Sequence, residues 1–403
     1  MTPAELQRPR LVPLEPRPVV LDDGSRAVAL RDPLGILGEE RVVTGPAWMV
    51  LAHCDGQRSL DDIQAALRRR GAAAGRGVLE GLVREAIDAG LLVGPAYAAL
   101  RRQALHAWRS APVRSTSCAG SAYPADPAAL RRLLDGFLDR VERPTRRTGS
   151  RRRGPGPVRL LVSPHIDYAR GGPTYAHAWS ALAEGCDADL FVVFGTAHAT
   201  PDRPFTLTRQ GFATPLGTVS TDARLVDRLV EALGEDTLLG DELCHKQEHS
   251  LELQLVWLRH VLGGRDVPVV PVLCSSLSHL HDPAAAAAPF LDALARAVAG
   301  RKVCWVAGAD LAHVGPGFGD ERPPSPAGLA ALAREDVRTM GFVARGDALG
   351  FHRDAVRDGA RRRLCGAAPI YAALRMAGRG ARLLHHAQWS DGTDAVSFAA
   401  AAG

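Results

Sequence analysis

The stretch Leu160-Leu-Val-Ser-Pro-His165-Ile-Asp-Tyr168 passes from a short apolar run directly into polar residues. Two later stretches have the same form, Leu190-Phe-Val-Val-Phe-Gly-Thr-Ala-His198 and Val303-Cys-Trp-Val-Ala-Gly-Ala-Asp-Leu-Ala-His313. Short runs that are apolar at nearly every position are typical of strands covered on both faces of a sheet. Because ligands bind where the strands of such sheets end, the sequence predicts that the three histidines share one site.

The rest of the second half alternates apolar runs with helical patterns. Further strands are expected over Val267 to Cys274, Ala381 to His385 and Ala395 to Ala401. Helices are expected over Ala128 to Val141, Tyr175 to Ala183, Ala223 to Leu233, His249 to Leu262, Ala284 to Val298, Leu329 to Ala344 and Pro369 to Met376. This alternation predicts an α/β domain of three layers with a central, mostly parallel or mixed sheet. Pro271 predicts that its strand is an edge strand or is bulged.

Residues 17–98 have a different pattern, which predicts a small α+β domain of their own. Pro18 to Leu30 reads as a β-hairpin, because Asp23-Gly24 is a favoured two-residue turn. Three helical patterns follow, at Ala47 to His53, after the approximate capping box Ser59-Leu-Asp-Asp62, and over Val78 to Ile87.

The pattern changes divide the chain into regions. We expect a disordered or extended N-terminus at residues 1–16, the small α+β domain at 17–98, a linker at 99–114 and the α/β domain at 115–403. Residues 143–157 are rich in Arg, Pro and Gly and read as a solvated basic loop. The net charge is +5, but no basic patch is interleaved with aromatic residues, so nucleic acid is not an expected partner.

Other features indicate the cellular setting. The sequence has no run of about 18 uncharged apolar residues, so no membrane span is expected. Met1 to Arg17 lacks the apolar core of a secretory signal, which favours a cytoplasmic protein. The seven cysteines are scattered and form no CxxC motif, so we expect free thiols rather than disulfides.

Two more groups of residues could join the histidine site. His249 and Glu252 lie at positions i and i+3 of an expected helix and share one face. Cys365 precedes another expected helix, whose N-terminus would favour a thiolate. A buried inert thiol is the alternative for Cys365. Imidazole together with thiolate suits zinc, copper or iron, and these residue types leave the metal open.

Six motifs, in order along residues 115–403, resemble the Memo family, called AmmeMemoRadiSam system protein B in bacteria. They are Ala119-Gly-Ser-Ala-Tyr123-Pro, Pro164-His165-Ile-Asp-Tyr168, Gly195-Thr-Ala-His198, Gln247-Glu-His-Ser-Leu-Glu252, Asp310-Leu-Ala-His313 and Cys365-Gly366. Two positions depart from the family pattern, with Ala122 where Trp is found and Ala309 where Ser is usual. The resemblance implies the fold of class III extradiol dioxygenases.

The resemblance also implies a site, with His165, His198 and Cys365 as metal ligands. The cysteine takes the place of the carboxylate ligand of the dioxygenases. Four further residues would line the pocket as catalytic candidates, namely Asp310, His313, His249 and Glu252. The expected protein is an oxidative or redox enzyme that uses iron or, less favoured, copper, with zinc behind both. Its substrate would be a small molecule or a peptide, and the bacterial family name implies a radical SAM pathway partner.

The N-terminal domain carries a second resemblance. Asp55 to Leu67 and Val78 to Pro95, within residues 17–98, resemble the PqqD-like winged-helix domain. That family binds leader peptides of ribosomally made peptides as an added strand at a sheet edge. The resemblance implies that residues 17–98 bind a precursor peptide. The alternative is an appendage used for dimerisation or for packing on the catalytic domain.

Three other functions stay open on the sequence. A dioxygenase that cleaves the ring of a small aromatic would need a carboxylate ligand, which Cys365 replaces. A non-enzymatic scaffold that binds metal or peptide could use the same pocket. A zinc hydrolase would need a carboxylate that activates water, for which Glu248 or Glu252 could serve.

Overall fold

The computed structural model describes residues 8–72, 74–141, 157–199, 201–277 and 282–403. The chain separates into two compact units, Met1–Ala111 and Pro112–Gly403. The basic loop expected at 143–157 lies outside the described residues apart from Pro157, and so do residues 1–7 of the expected N-terminal tail. Among the described residues, no helix is long and apolar enough to cross a membrane.

The first unit contains an antiparallel sheet of three strands in the order β1-β2-β3. Its strands are β1 (Glu15–Val20), β2 (Arg26–Arg31) and β3 (Arg41–Thr44). Its helices are α1 (Gly45–Leu51), α2 (Leu60–Arg69), α3 (Arg76–Asp88) and α4 (Pro95–Ser110). A capping box begins α2, because the Ser59 hydroxyl accepts the Asp62 N–H and the Asp62 carboxylate accepts the Ser59 N–H. The α+β character expected of this region is confirmed.

Helix α4 occupies most of the segment that the sequence suggested as a linker. Pro95 stands at its start, where a missing N–H costs no hydrogen bond. Residues 96–110 contain no glycine or further proline that would end the helix. Tyr97 and Leu100 pack against the core of the first unit. Residues 99–110 therefore continue that unit, and β4 (Val113–Arg114) belongs to the second.

The second unit is built on an eight-stranded sheet in the order β11-β13-β5-β10-β6-β9-β7, with β12 paired to β13. Its strands are β5 (Leu160–Ser163), β6 (Leu190–Thr196), β7 (Phe205–Leu207), β9 (Val269–Cys274), β10 (Val303–Gly308), β11 (Asp310–Val314), β12 (Arg382–Ser390) and β13 (Ala395–Ala402). The short strand β8 (Gly211–Phe212) pairs with β4 instead. Within the eight-stranded sheet, strands β5, β10, β6 and β9 are parallel and the other pairings are antiparallel, whereas β4 and β8 pair in parallel. The predicted α/β domain with a mixed sheet is confirmed.

Helices cover both faces of this sheet. They are α5 (Pro127–Leu138), α6 (Tyr168–Gly185), α7 (Ala223–Leu233), α8 (Glu235–Leu239), α9 (His249–Val261), α10 (Pro283–Ala297), α11 (Pro326–Arg345), α12 (Ala348–Ala355) and α13 (Ala367–Ala377). Apolar side chains of α7, α10 and α13 share one core with the strands. On the other face α6 and α9 pack, and the Trp179 indole of α6 donates to the Ser163 hydroxyl of β5. The result is the three-layer arrangement that the alternating pattern predicts.

The strand register brings three segments to one edge of the sheet. Ser163 of β5 and Gly195 of β6 both pair with Gly308 of β10. His165, His198 and Asp310 follow these paired residues within three positions. Because parallel strands end at the same side of a sheet, the three polar side chains emerge together.

Two local features differ from the sequence expectation. Residues 310–314 form a strand of their own, β11, which leaves β10 and pairs antiparallel with β13. The strand that contains Pro271 is not an edge strand, because β9 lies between β6 and β7. Strand β7 pairs only with residues 272–274, however, so the missing N–H of Pro271 costs no hydrogen bond on that side.

Candidate metal centre

His165 follows β5 and is held so that one ring nitrogen can bind a ligand. Its backbone N–H donates to the Asp310 carboxylate at 2.8 Å, and its ring Nδ1 lies 2.9 Å from the Gly308 carbonyl oxygen. Because a carbonyl can only accept, Nδ1 of the neutral ring carries the proton and Nε2 keeps its lone pair. His165 is 2% exposed, so packing as well as hydrogen bonding fixes its orientation.

His198 is held in a similar way by a carboxylate. Its backbone N–H donates to Glu248 Oε2 at 2.9 Å, and its Nδ1 lies 3.0 Å from Oε1 and 3.1 Å from Oε2. Glu248 is the N-cap of α9 and also accepts the Ser250 N–H at 2.9 Å. A buried carboxylate on Nδ1 fixes the imidazole and raises the basicity of Nε2, as in many metal-binding histidines.

His249, the first residue of α9, completes a cluster of three imidazoles. Its ring stacks on His198 with 4.5 Å between centroids and lies across His165 at 5.4 Å. One ligand atom from each of the three side chains lies within 4.8 Å of the others. The sequence placed His249 among the catalytic candidates, and the structure brings it into direct contact with two expected ligands.

Cys365 reaches the same cluster from the loop before α13. Its Sγ lies 3.2 Å from His165 Nε2, and its carbonyl oxygen accepts the Thr196 hydroxyl at 3.0 Å. The three ligands implied by the resemblance are therefore neighbours, although they lie far apart along the chain. The ligand atoms that all lie within 4.8 Å of one another belong to the three histidines, and Cys365 adjoins this group through its contact with His165.

The loop that carries Cys365 has an unusual backbone and a buried anchor. Ala360 and Arg363 have φ values of 57° and 46°, in the left-handed region that residues other than glycine rarely adopt. Arg362 is 2% exposed and donates to the Thr339 hydroxyl at 2.9 Å and to the Asp354 carboxylate at 3.1 Å. These contacts compensate for the strained backbone on either side of Arg362.

The Cys365 sulfur and the His165 imidazole shift the pKa values of one another in opposite directions. Burial acts to raise the pKa of Cys365, but the positive charges of His165 and His313 and hydrogen bonds from His165 and His198 lower it to about 5. Burial acts to lower the pKa of His165, but the Cys365 thiolate and the Asp310 carboxylate raise it to about 9. At neutral pH and without metal, a thiolate therefore lies beside an imidazolium.

The other two imidazoles differ from one another. Burial acts to lower the pKa of His198, but the Glu248 carboxylate and the Cys365 thiolate together raise this pKa well above its ordinary value. Burial lowers the pKa of His249, and although Glu248 opposes this, the charges of His198 and His165 help bring it to about 4. His249 is therefore neutral at physiological pH and keeps a lone pair for a cation.

The lowered pKa of Cys365 predicts that this thiol is already alkylated rapidly at neutral pH in protein stripped of metal. The thiolate fraction rises as pH rises through about 5, so the rate of reaction with iodoacetamide should level off above neutral pH. Cys118, whose pKa burial raises to about 11, should still be gaining reactivity there. Mass spectrometry of each cysteine over a pH series measures both. A Cys365 rate that keeps rising to pH 9 would contradict the prediction.

Asp310 and His313 also lie beside the cluster. Asp310 is 2% exposed, and its second carboxylate oxygen is 3.7 Å from His165 Nε2. His313 is partly exposed, and its backbone N–H donates to the Arg362 carbonyl oxygen at 2.8 Å. Its ring lies edge-on against Phe318 with 5.0 Å between centroids. Asp310 thus supports a ligand, whereas His313 is partly exposed and lies near enough to Cys365 to lower the pKa of its thiol.

Glu252, the last of the catalytic candidates, makes its described contacts away from the cluster. It is fully buried, and its carboxylate accepts hydrogen bonds from the segment at residues 114–123. Glu252 lies three residues after His249 on helix α9, as the sequence predicts. Its hydrogen bonds, however, connect α9 to residues 114–123 at the start of the second unit.

Three residues support the site in roles that the sequence did not assign to them. Glu248 holds His198, and its place directly before His249 was the available signal. Gly308 offers the carbonyl that holds His165, and a Cβ there would lie 2.5 Å from the Ser250 carbonyl oxygen. Arg114 donates to the carbonyl oxygen of Glu248 at 2.8 Å, and no motif in the sequence around Arg114 indicates this role.

The donor set fits a transition metal. Imidazole nitrogens and a thiolate are the ligands that iron, copper and zinc share. Both His165 and His198 have Nδ1 engaged, so each keeps Nε2 for a ligand. Nearby carboxylates supply negative charge that offsets a cation.

Comparison with known proteins places the chain in a family. A MEMO1 family protein of Methanopyrus kandleri is 35% identical over 160 residues, covering 39% of this chain and 55% of the relative. One of Methanosarcina acetivorans is 30% identical over 235 residues, covering 57% and 78%. One of Aquifex aeolicus is 24% identical over 302 residues, covering 74% and 75%. The match thus spans about half the length of the Methanopyrus relative. A family model described as Memo-like protein matches residues 114–402, and the chain therefore belongs to the Memo family.

Proposed function

We propose that this chain is a metal-dependent redox enzyme whose metal is held by His165, His198 and Cys365. The convergence of these side chains carries the proposal, since the sulfur lies 3.2 Å from His165 Nε2. Each imidazole is fixed through Nδ1, one by a carbonyl and one by a carboxylate. A rigid set of nitrogen and sulfur donors, oriented by outer hydrogen bonds, is the usual form of a transition-metal site.

The donor set favours iron ahead of copper, with zinc behind both. A thiolate donates more electron density than a carboxylate and so stabilises an oxidised metal, whereas zinc has no redox chemistry. When bound, the metal would supply redox chemistry at the positions that three protein ligands leave open. His249 offers a further nitrogen, and ligation by it would reduce the number of open positions. A reducing cytoplasm, the proposed location, would keep Cys365 available as a thiol.

Residues around the metal ligands would hold the site and move protons. We assign Asp310 to support of His165, because its carboxylate accepts the His165 N–H at 2.8 Å. We assign proton transfer to His313, because it is partly exposed near Cys365 and an imidazole ring can both donate and accept a proton. The contact with Phe318 limits the rotation of the His313 ring.

Elemental analysis of protein purified anaerobically without added metal tests the proposal. We expect stoichiometric iron or copper, together with thiolate-to-metal charge-transfer absorption. Folded protein that carries neither metal, and takes up neither Fe²⁺ nor Cu⁺ when they are offered, would refute it and favour a non-enzymatic scaffold. Turnover of a catechol by the loaded protein would favour the ring-cleaving alternative.

We further propose that the first unit binds a peptide substrate at the edge of β3. Strand β3 ends the three-stranded sheet. Val42 on this strand is 53% exposed, and Met49 on the helix that follows is 38% exposed. An extended peptide can add to such an edge through main-chain hydrogen bonds while apolar contacts select its side chains. The resemblance of residues 17–98 to PqqD-like domains favours a ribosomally made precursor peptide.

Val42→Asp is expected to weaken binding of a precursor peptide encoded beside this chain by roughly tenfold, because charge on an edge strand opposes strand addition. Val20→Asp is the matched control, since Val20 is 71% exposed on β1 at the other end of the sheet. Fluorescence anisotropy with a labelled peptide measures both. Equal affinities for the two variants would contradict docking at β3.

A further inference from the structure

A buried ion pair lies at the start of the second unit. The side chains of Arg114 and Glu252 are 1% and 0% exposed, and Arg114 Nη1 donates to Glu252 Oε2 at 2.5 Å. Taking two charges out of water is costly, and such a pair is tolerated only when further hydrogen bonds satisfy both groups. The partners of each group therefore show what the pair holds in place.

Arg114 also donates to two carbonyl oxygens of the segment that leads into α9. Its Nε donates to the His245 carbonyl oxygen at 2.6 Å, and its Nη2 donates to the Glu248 carbonyl oxygen at 2.8 Å. Nη2 also donates to the Ser117 hydroxyl at 2.9 Å. The planar guanidinium thus fixes the spacing between two carbonyls, one on each side of the turn before α9.

Glu252 accepts hydrogen bonds from the segment at residues 117–123. Its Oε1 accepts the Cys118 N–H at 2.9 Å and the Tyr123 hydroxyl at 2.5 Å. Its Oε2 accepts both the N–H and the hydroxyl of Ser117 at 2.9 Å. These bonds fasten residues 117–123 to the first turn of α9, but none of them reaches Glu248.

Glu248 connects this network to the candidate metal centre. Arg114 donates to the carbonyl oxygen of Glu248, and the carboxylate of Glu248 contacts the N–H and Nδ1 of His198. A shift of the Glu248 backbone would therefore move the carboxylate that orients the imidazole.

We propose that Arg114 is a positioning residue for the metal centre, acting through Glu248 on His198. The inference rests on the proposed metal site, because it assigns a role towards a ligand of that site. It also gives Glu252 a role as the counter-ion that keeps Arg114 buried. The Tyr123 hydroxyl donates to the other carboxylate oxygen, Glu252 Oε1, and so fastens residues 117–123 without taking part in the connection from Arg114 to Glu248.

Arg114→Lys separates positioning from support of the fold. Lysine can keep a positive charge beside Glu252, but one ammonium cannot reproduce the fork that spans the two carbonyls. We expect the dissociation constant for Co²⁺ to rise by up to roughly tenfold, the lower end of the cost of losing an outer partner of a metal ligand, because Glu248 itself remains. The visible absorption of the cobalt complex should also change, because the His198 donor is no longer held in one orientation.

Tyr123→Phe is the matched control. It removes one buried hydrogen bond from Glu252 and should lower the melting temperature, but it touches neither Glu248 nor His198. Its affinity for Co²⁺ and its cobalt spectrum should equal those of the wild type. If Arg114→Lys does not fold, the double variant Arg114→Gln/Glu252→Gln, which replaces the ion pair with neutral groups, carries the same test.

Three results would overturn this inference. Wild-type affinity and an unchanged spectrum in folded Arg114→Lys would show that Arg114 supports the fold alone. Equal losses of affinity in Arg114→Lys and Tyr123→Phe would show that general loosening, and not the contact with Glu248, weakens the site. Failure of the wild type to bind Co²⁺, Fe²⁺ or Cu⁺ would remove the proposed function, and this inference with it.

Discussion

Cys365→Ser is expected to abolish stoichiometric metal binding while the chain stays folded. Serine is close in size, but its hydroxyl remains protonated, so the site loses the anionic donor that lies 3.2 Å from His165 Nε2. Loss of an outer partner of a metal ligand costs 10- to 100-fold in affinity, so loss of a ligand should cost more than roughly 100-fold. His198→Ala should have a comparable effect, because it removes one of the fixed nitrogens.

The control for both variants is His177→Ala. The His177 ring stacks on His385 with 4.6 Å between centroids and is not part of the cluster. Elemental analysis, competitive titration with Fe²⁺ and Cu⁺, and a melting curve separate loss of metal from loss of fold. If Cys365→Ser keeps wild-type affinity while His249→Ala loses it, the third ligand is His249, and Cys365 as a ligand is contradicted.

The main strands of the second unit could be read from the sequence, because burial on both faces leaves an apolar run. Strand β6 begins at Leu190, and β10 begins at Val303, both as expected. Strands β7 and β8 have three and two residues, too few for a hydrophobic pattern to show. Strand β11 was not recognised because its formation depends on pairing with β13, which follows about 80 residues later.

The sequence could predict those residues of the candidate site that directly follow a strand. His165 and His198 stand just past apolar runs, so their meeting follows from the geometry of a parallel sheet. Cys365 lies in a loop whose course depends on the left-handed backbone of Arg363, which no sequence periodicity indicates. Arg114 and Glu252 are 138 residues apart, and only tertiary packing reveals that they form a pair.

Gly366→Ala is expected to damage stability and metal affinity together. A Cβ at this position would lie 2.4 Å from the Asp310 carbonyl oxygen and 2.5 Å from the Ala309 Cβ. Both atoms belong to the junction of β10 and β11 inside the sheet, which has little freedom to move. The φ of Gly366 is −76°, so the alanine backbone itself is not strained and the cost is steric. Overpacking of this kind costs about 1–3 kcal/mol, and the rigid backbone favours the upper part of that range.

The same steric contact should displace the neighbouring sulfur. The Gly366 N–H donates to the Asp310 carbonyl oxygen at 3.1 Å, so relief of the overlap must lengthen this bond and carry Cys365 away from His165. Urea unfolding of metal-free protein and titration with Co²⁺ measure the two effects. Gly136→Ala is the control, because its Cβ meets nothing within 4 Å in α5, and it should stabilise the chain by about 0.5–1 kcal/mol. Gly366→Ala with wild-type stability and wild-type affinity would mean that the β10–β11 junction yields, and that its contact with Gly366 does not set the position of Cys365.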